Sequence, residues 1–133
     1  MAKYPVETGD DTMDDSRDTL KDAVVGHKIV KVEKVANSDP YYYGGDKTII
    51  TLDNGTQVEL VGTGDCCAYT ELDSFLLNPE LVDHAILGVG TTDNYQTWHI
   101  FADMGDVLKL DVSWSEGSGY YGYGFYIQVR PVA

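Results

Sequence analysis

Thr48, Ile50 and Leu52 occupy alternate positions before Asp53-Asn54-Gly55, and Thr56, Val58 and Leu60 occupy alternate positions after it. No other feature constrains the fold as tightly, because two period-two runs joined by a turn tripeptide define both a β-hairpin and its register. A two-residue Asn54-Gly55 turn would pair Ile50 with Glu59 and Leu52 with Gln57, setting apolar residues beside polar ones on one face. A three-residue turn with Gly55 as a left-handed bulge pairs Leu52 with Thr56, Ile50 with Val58 and Thr48 with Leu60. The burial pattern selects the longer turn.

Similar punctuation organises the rest of the chain. Residues 1–17 hold Glu7, Asp10, Asp11, Asp14 and Asp15 with few apolar residues, which predicts a disordered acidic N-terminal tail. Asp18 or Thr19 can cap a short helix in which Leu20 and Val24 share a face, with Gly26 as its left-handed end. His27 to Ala36 reads as a strand. Thr70-Glu71-Leu72-Asp73 has capping-box spacing, and Leu72, Phe75, Leu76 and Leu77 form an apolar patch; together they predict a short central helix ended by Asn78-Pro79. Val82 to Val89 reads as a strand and Gly88 to Asn94 as a turn. Trp98, Ile100 and Ala102 alternate, Met104-Gly105-Asp106 turns, and Leu108, Leu110, Val112 and Trp114 alternate again. After Glu116-Gly117-Ser118-Gly119, one face of a final strand carries Tyr121, Tyr123, Phe125, Ile127 and Val129. A chain of 133 residues suits one core, and long parallel crossovers are absent. Residues 18–133 are therefore expected to form a single α+β domain, mostly antiparallel β-sheet, with one short central helix over a sheet face and a short N-terminal helix.

Twenty-two acids against nine bases give a formal net charge of −13. The balance is uneven: between Thr48 and Val129 Lys109 is the only base, while Lys21, Lys28, Lys31, Lys34 and Lys47 precede that segment. Such an anionic body repels DNA, RNA and anionic lipid and attracts basic proteins, so direct nucleic-acid and membrane binding are not expected. No apolar run is long enough to span a bilayer, and the N-terminus lacks the basic-then-apolar pattern of a secretory leader, which points to the cytosol.

Candidate chemistry concentrates in a few places. In Gly64-Asp65-Cys66-Cys67 two adjacent thiols follow a strand and precede the expected central helix, whose dipole would lower a thiol pKa and whose N-terminus Asp65 would cap. Cys66 and Cys67, with Asp65, are thus the candidate catalytic residues of a thiol enzyme or redox switch; the competing reading is two reduced thiols packed in the interior. A metal site would have to combine these cysteines with His27, His84 or His99, and adjacent cysteines are a poor template because zinc ligands are usually spaced by two to four residues. No metal and no cofactor are expected. Tyr41-Tyr42-Tyr43-Gly44-Gly45 joins flexible glycine to rigid amphipathic aromatics, the composition of adaptable binding loops, and Tyr120 sits in a second such segment. Base stacking is disfavoured there because stacking platforms lie in positive channels. Phosphate-binding loops, dinucleotide fingerprints, nucleophile elbows and zinc-protease helices are all missing.

Leu52-Asp53-Asn54-Gly55, Gly64-Asp65-Cys66-Cys67 and Gly119-Tyr120-Tyr121-Gly122-Tyr123-Gly124-Phe125 together resemble a family of small uncharacterised proteins from actinobacterial phages and some bacteria. The resemblance spans roughly residues 26–130 and implies a phage or prophage origin. Ala68-Tyr69-Thr70 departs from it, replacing a serine-rich segment that leads to a tryptophan on the helix. The functional expectation is a phage-encoded, non-enzymatic acidic protein of the host cytoplasm that modulates a host macromolecule, a basic or DNA-binding protein in particular. DNA mimicry by carboxylates is its most specific form. The alternatives are the thiol enzyme or redox switch at Cys66 and Cys67, and a virion or assembly component.

Overall fold

A computed structural model describes residues 7–36, 46–64, 69–115 and 124–131. The first element is a helix, α1 (Asp11–Val24), which Asp10 caps in extended conformation by accepting from the Met13 N–H at 3.0 Å. Asp11 and Asp14 favour its N-terminus and Lys21 its last turn. Met13, Leu20 and Val24 lie on one face and are fully buried. Arg17 shares that face, buried but satisfied: its guanidinium donates to the Glu7 carbonyl at 2.6 Å, Asp14 at 3.1 Å and Asp18 at 3.3 Å. The helix thus begins well ahead of the Asp18 or Thr19 cap expected from the sequence, and of residues 10–17, read there as tail, Asp10, Met13, Ser16 and Arg17 are buried. Composition misled because polar side chains that pair with one another look like a solvated segment when counted singly.

Among the described residues nine strands follow in two antiparallel sheets, β1 (Ile29–Ala36), β2 (Asp46–Leu52), β3 (Gln57–Val61) and β9 (Tyr126–Arg130) in the first, ordered β1-β2-β3-β9. The second contains β4 (Thr63–Gly64), β5 (Tyr69–Leu77), β6 (Gly88–Thr92), β7 (Thr97–Ala102) and β8 (Gly105–Ser115), ordered β4-β5-β8-β7-β6. The chain passes between sheets at Gly62, and α1 packs against both through β6, β9 and β3. Among the described residues the fold is mostly antiparallel sheet with one helix. The β2–β3 hairpin has the register expected from its alternation: Ile50 faces Val58 and Thr48 faces Leu60. Leu52 N–H donates to the Thr56 carbonyl at 2.8 Å, and Gly55 takes φ +86°.

The expected central helix is a strand. Thr70, Leu72, Phe75 and Leu77 of β5 lie opposite Trp114, Val112, Leu110 and Leu108 of β8, with the register shifting between Leu72 and Ser74. That bulge inserts one residue into the alternation, so the spacing of three between Leu72 and Phe75 imitates a helical repeat. The strand expected at Val82–Val89 is also corrected: its place is taken by turns from Asn78 to His84, after which Ile86 N–H bonds the His27 carbonyl and Leu87 N–H that of Phe101. The turn expected over Gly88–Asn94 is strand β6, and the reversal falls at Asp93, Asn94 and Tyr95, all at φ 57–61°. Of the expected final strand, Ile127 and Val129 lie in β9, Phe125 is buried just before it, and Tyr121 and Tyr123 lie outside the described residues.

Both sheets and α1 share one buried cluster that includes Leu20, Ile50, Leu60, Trp98, Ile100, Leu108 and Leu110. Its tightest joint is Gly124, at φ +70°, where an added Cβ would stand 2.8 Å from Ser16 Cβ and 3.3 Å from the Thr12 carbonyl. Gly124→Ala is expected to cost roughly 2–4 kcal/mol, from left-handed strain plus overpacking against the helix. Urea denaturation checks this, and an unchanged midpoint would refute the joint.

On the outward face of the first sheet, Glu59 is 4% exposed and binds Lys47 at 3.2 Å and Arg130 at 2.6 Å. Burial alone would raise its carboxyl pKa; the bonds from Arg130 and Lys47 outweigh burial and hold it below the usual glutamate value. Its stabilisation is therefore present above the ordinary glutamate range and lost as pH falls through the lowered folded value. Glu59→Gln is expected to lose about 1–3 kcal/mol at neutral pH, with its melting temperature converging on the parent's as pH falls through the lowered folded value. Parallel melting curves at all pH values would contradict this.

Candidate functional site

Every residue expected from the sequence to act, namely Asp65, Cys66, Cys67, Tyr41, Tyr42, Tyr43 and Tyr120, lies outside the described residues. The residues flanking them are described, and they converge. Val35 pairs with Lys47, Lys47 with Val61 and Val61 with Tyr126, which sets Ala36, Asp46 and Tyr126 at one end of the first sheet. Gly64 pairs with Tyr69 and Tyr69 with Ser115 at one end of the second. The two ends are tied together: Thr63 Oγ1 donates to the Gly124 carbonyl at 2.7 Å, and Gly124 N–H donates to Thr70 Oγ1 at 3.1 Å. The chain ends of all three tyrosine- and cysteine-bearing segments are thus gathered at one pole. Tyr69 and Tyr126 are exposed there. A cleft of about 220 Å³ opens on the seam between the sheets, lined by Lys34, Asp46, Glu71 and Asp73 among others, with Lys34 Nζ donating to the Asp73 carbonyl at 2.6 Å.

The same pole holds an unusual turn. Three consecutive left-handed residues cost roughly 1–2 kcal/mol each when they carry a Cβ, and at Asp93–Tyr95 specific bonds offset that cost. Glu7 accepts from the Asn94 and Tyr95 N–H groups, both at 2.8 Å. Trp98 Nε1 donates to the Tyr95 carbonyl at 2.8 Å and Trp114 Nε1 to that of Asn94 at 2.7 Å. Tyr95 Oη donates to Asp14 at 2.7 Å; burial, then that bond, pushes its pKa up to about 12. These contacts hold the N-terminal segment on the sheet.

A second constellation, not foreseen from the sequence, lies on the outward face of the second sheet. His99, only 9% exposed, bonds Asp106 Oδ2 through Nδ1 at 2.9 Å and Thr92 Oγ1 through Nε2 at 2.8 Å. A carboxylate only accepts, so Nδ1 carries the proton, and in the neutral ring Nε2 accepts from the threonine hydroxyl. Thr92, His99 and Asp106 succeed one another at intervals of seven across two hairpins, a signal visible only once both turns are placed. The other histidines also bond aspartates: His27 holds Asp53 at 3.1 Å and His84 holds Asp103 at 2.7 Å. The His27 bond is the chief reason that the Asp53 carboxyl lies below its usual pKa. Each histidine thus fastens a turn. Among the described residues no three His, Cys, Asp or Glu side chains group closely enough to hold a metal, and no helix is long and apolar enough to cross a membrane.

Fold and site together define a small acidic α+β domain, with two antiparallel sheets and one helix among the described residues, in which the residues flanking the aromatic segments converge at one pole. The chain belongs to the family described as Domain of unknown function (DUF7448), which it matches over residues 22–127, from within α1 into β9. No curated protein and no solved structure matches it.

Proposed function

We propose that the chain is a phage-encoded, non-enzymatic binding protein of the host cytoplasm that modulates a positively charged host macromolecule, a DNA-binding protein being the most specific case. The contact surface is the pole at which residues 37–45, 65–68 and 116–123 are anchored. The observation that carries this reading is the convergence of their flanking residues, Ala36, Asp46, Gly64, Tyr69, Ser115 and Gly124, since segments whose flanks converge can build one surface. The net charge of −13 supplies long-range attraction for a basic partner, and tyrosine supplies contact area at low entropic cost.

The test is retention of host proteins on the immobilised chain at low and high salt. A specific partner is expected at low salt, released by salt and displaced by DNA if it binds DNA, and lost from the variant Tyr41→Ser, Tyr42→Ser, Tyr43→Ser. Cys66→Ser and Cys67→Ser are expected to retain it. No retained partner at low salt overturns the proposal, and a turnover that disappears with either cysteine variant replaces it with the thiol reading.

A further inference from the structure

The pole opposite the tyrosine segments, where β5 ends and β8 begins, carries a cleft of about 310 Å³ lined by Leu76, Leu77, Asn78, Pro79, Asp106 and Lys109. Two of these residues have unused bonding capacity. Lys109 is the only lysine or arginine between Thr48 and Val129, and its side chain makes no hydrogen bond or ion pair among the described residues. Asp106 Oδ1 is shielded from solvent and has no hydrogen-bond partner, a costly condition for a carboxylate oxygen.

The rest of the neighbourhood fixes Asp106 in place. His99 Nδ1 holds the other oxygen at 2.9 Å, and Thr92 holds the far side of the imidazole at 2.8 Å. A partly buried chain of three side chains therefore orients one carboxylate whose second oxygen is left unmatched. Lys109 shares the cleft with that carboxylate and stands outside salt-bridge distance of it. The third component is apolar: Leu76 is 69% exposed and Leu77 and Pro79 continue its surface around the cleft.

We propose that this cleft binds a small carboxylic acid that also carries an N–H donor and an apolar side chain, the chemistry of an aliphatic or aromatic α-amino acid. The ligand carboxylate meets the Lys109 ammonium, its ammonium N–H reaches Asp106 Oδ1 once the cleft opens to uncover that oxygen, and its side chain covers Leu76 and Pro79. A cation and an anion held apart in one cleft match a zwitterion better than either charge alone. Lys109, with no partner to hold it, is the side chain that swings to admit the ligand. The site is distant from the tyrosine pole, so its failure and that of the binding-protein reading are separable.

The experiment is titration of the full chain, followed by amide ¹H–¹⁵N spectra, with L-leucine, L-valine and L-phenylalanine, and with the one-charge analogues 4-methylpentanoate and 3-methylbutylamine. Saturable shifts are expected at Leu76, Asn78, Asp106 and Lys109 with at least one amino acid, and each leucine analogue should bind roughly tenfold or more weakly than leucine if leucine is a ligand. Lys109→Met should lower the amino-acid affinity by a similar factor with the spectrum otherwise unchanged. Asp106→Asn should do the same, and because it also disturbs His99, Lys109→Met decides. The proposal is overturned if no amino acid gives saturable shifts, if the shifts map to the opposite pole, or if Lys109→Met binds unchanged.

Discussion

Deleting residues 1–17 is expected to unfold the protein rather than trim it. The deletion removes Met13, which is fully buried, together with the Asp10 cap and the Arg17 guanidinium that bonds Glu7, Asp14 and Asp18. It also strips the left-handed Asp93–Tyr95 turn of the Glu7 carboxylate at two N–H groups and of the Asp14 acceptor for Tyr95. Loss of the methionine side chain alone costs about 2–5 kcal/mol and loss of a cap about 1 kcal/mol. A whole domain of this size is typically stable by only about 5–15 kcal/mol. The deleted chain should therefore lose its cooperative thermal transition, and Met13→Ala should show a lowered midpoint with cooperativity retained. A truncated protein that melts like the parent would restore the acidic-tail reading. The family match starts at residue 22 and would by itself place the boundary inside the helix, so this measurement separates the matched span from the folding unit.

Trp98→Ala should be the most damaging single substitution, at about 3–5 kcal/mol. Trp98 is fully buried, meets Phe125 edge-on with ring centroids 5.2 Å apart, and donates its indole N–H to the Tyr95 carbonyl. Alanine leaves a cavity between β7 and the segment entering β9, and strands that carbonyl inside the protein. Trp98→Phe isolates the second effect, since it refills most of the space but has no donor; it should lose roughly 1–3 kcal/mol. Equilibrium denaturation of both variants gives the two values. A phenylalanine variant as unstable as the alanine one would assign the loss to the hydrogen bond, and an alanine variant within about 1 kcal/mol of the parent would refute the packing account.

Where pairing is local and regular, the sequence was sufficient to read the fold. Asp53-Asn54-Gly55 fixed a hairpin register because only one turn length kept Ile50 with Val58, and the alternation of Trp98, Ile100, Leu108, Leu110 and Val112 marked two core strands. The errors share a physical origin in residues whose partners are distant. Asp73 is the extra residue of the β5 bulge, and it disguised a strand as a helix. Arg17 looked like a surface charge because its burial depends on the Glu7 carbonyl and on Asp14. Asp93-Asn94-Tyr95 reverses the chain without glycine, which drew the expected turn toward Gly88 and Gly90. Of the candidate sites, the tyrosine and cysteine segments singled out by composition lie outside the described residues, and what the fold adds is that their flanks meet. The Thr92–His99–Asp106 chain was invisible because each member lies on a different strand.

Gly124 abuts Ser16, and Phe125 N–H bonds the Ser16 hydroxyl at 3.0 Å across 109 residues of chain. The strand that follows fills the edge of the first sheet beside β3. During synthesis α1 leaves the ribosome with its apolar stripe uncovered, and its last neighbour is not made until residue 126 and beyond. Closure thus joins two segments that lie 109 residues apart in the chain. Such a topology delays completion until translation has passed β9 and favours slow barrier crossing over stepwise assembly on the ribosome.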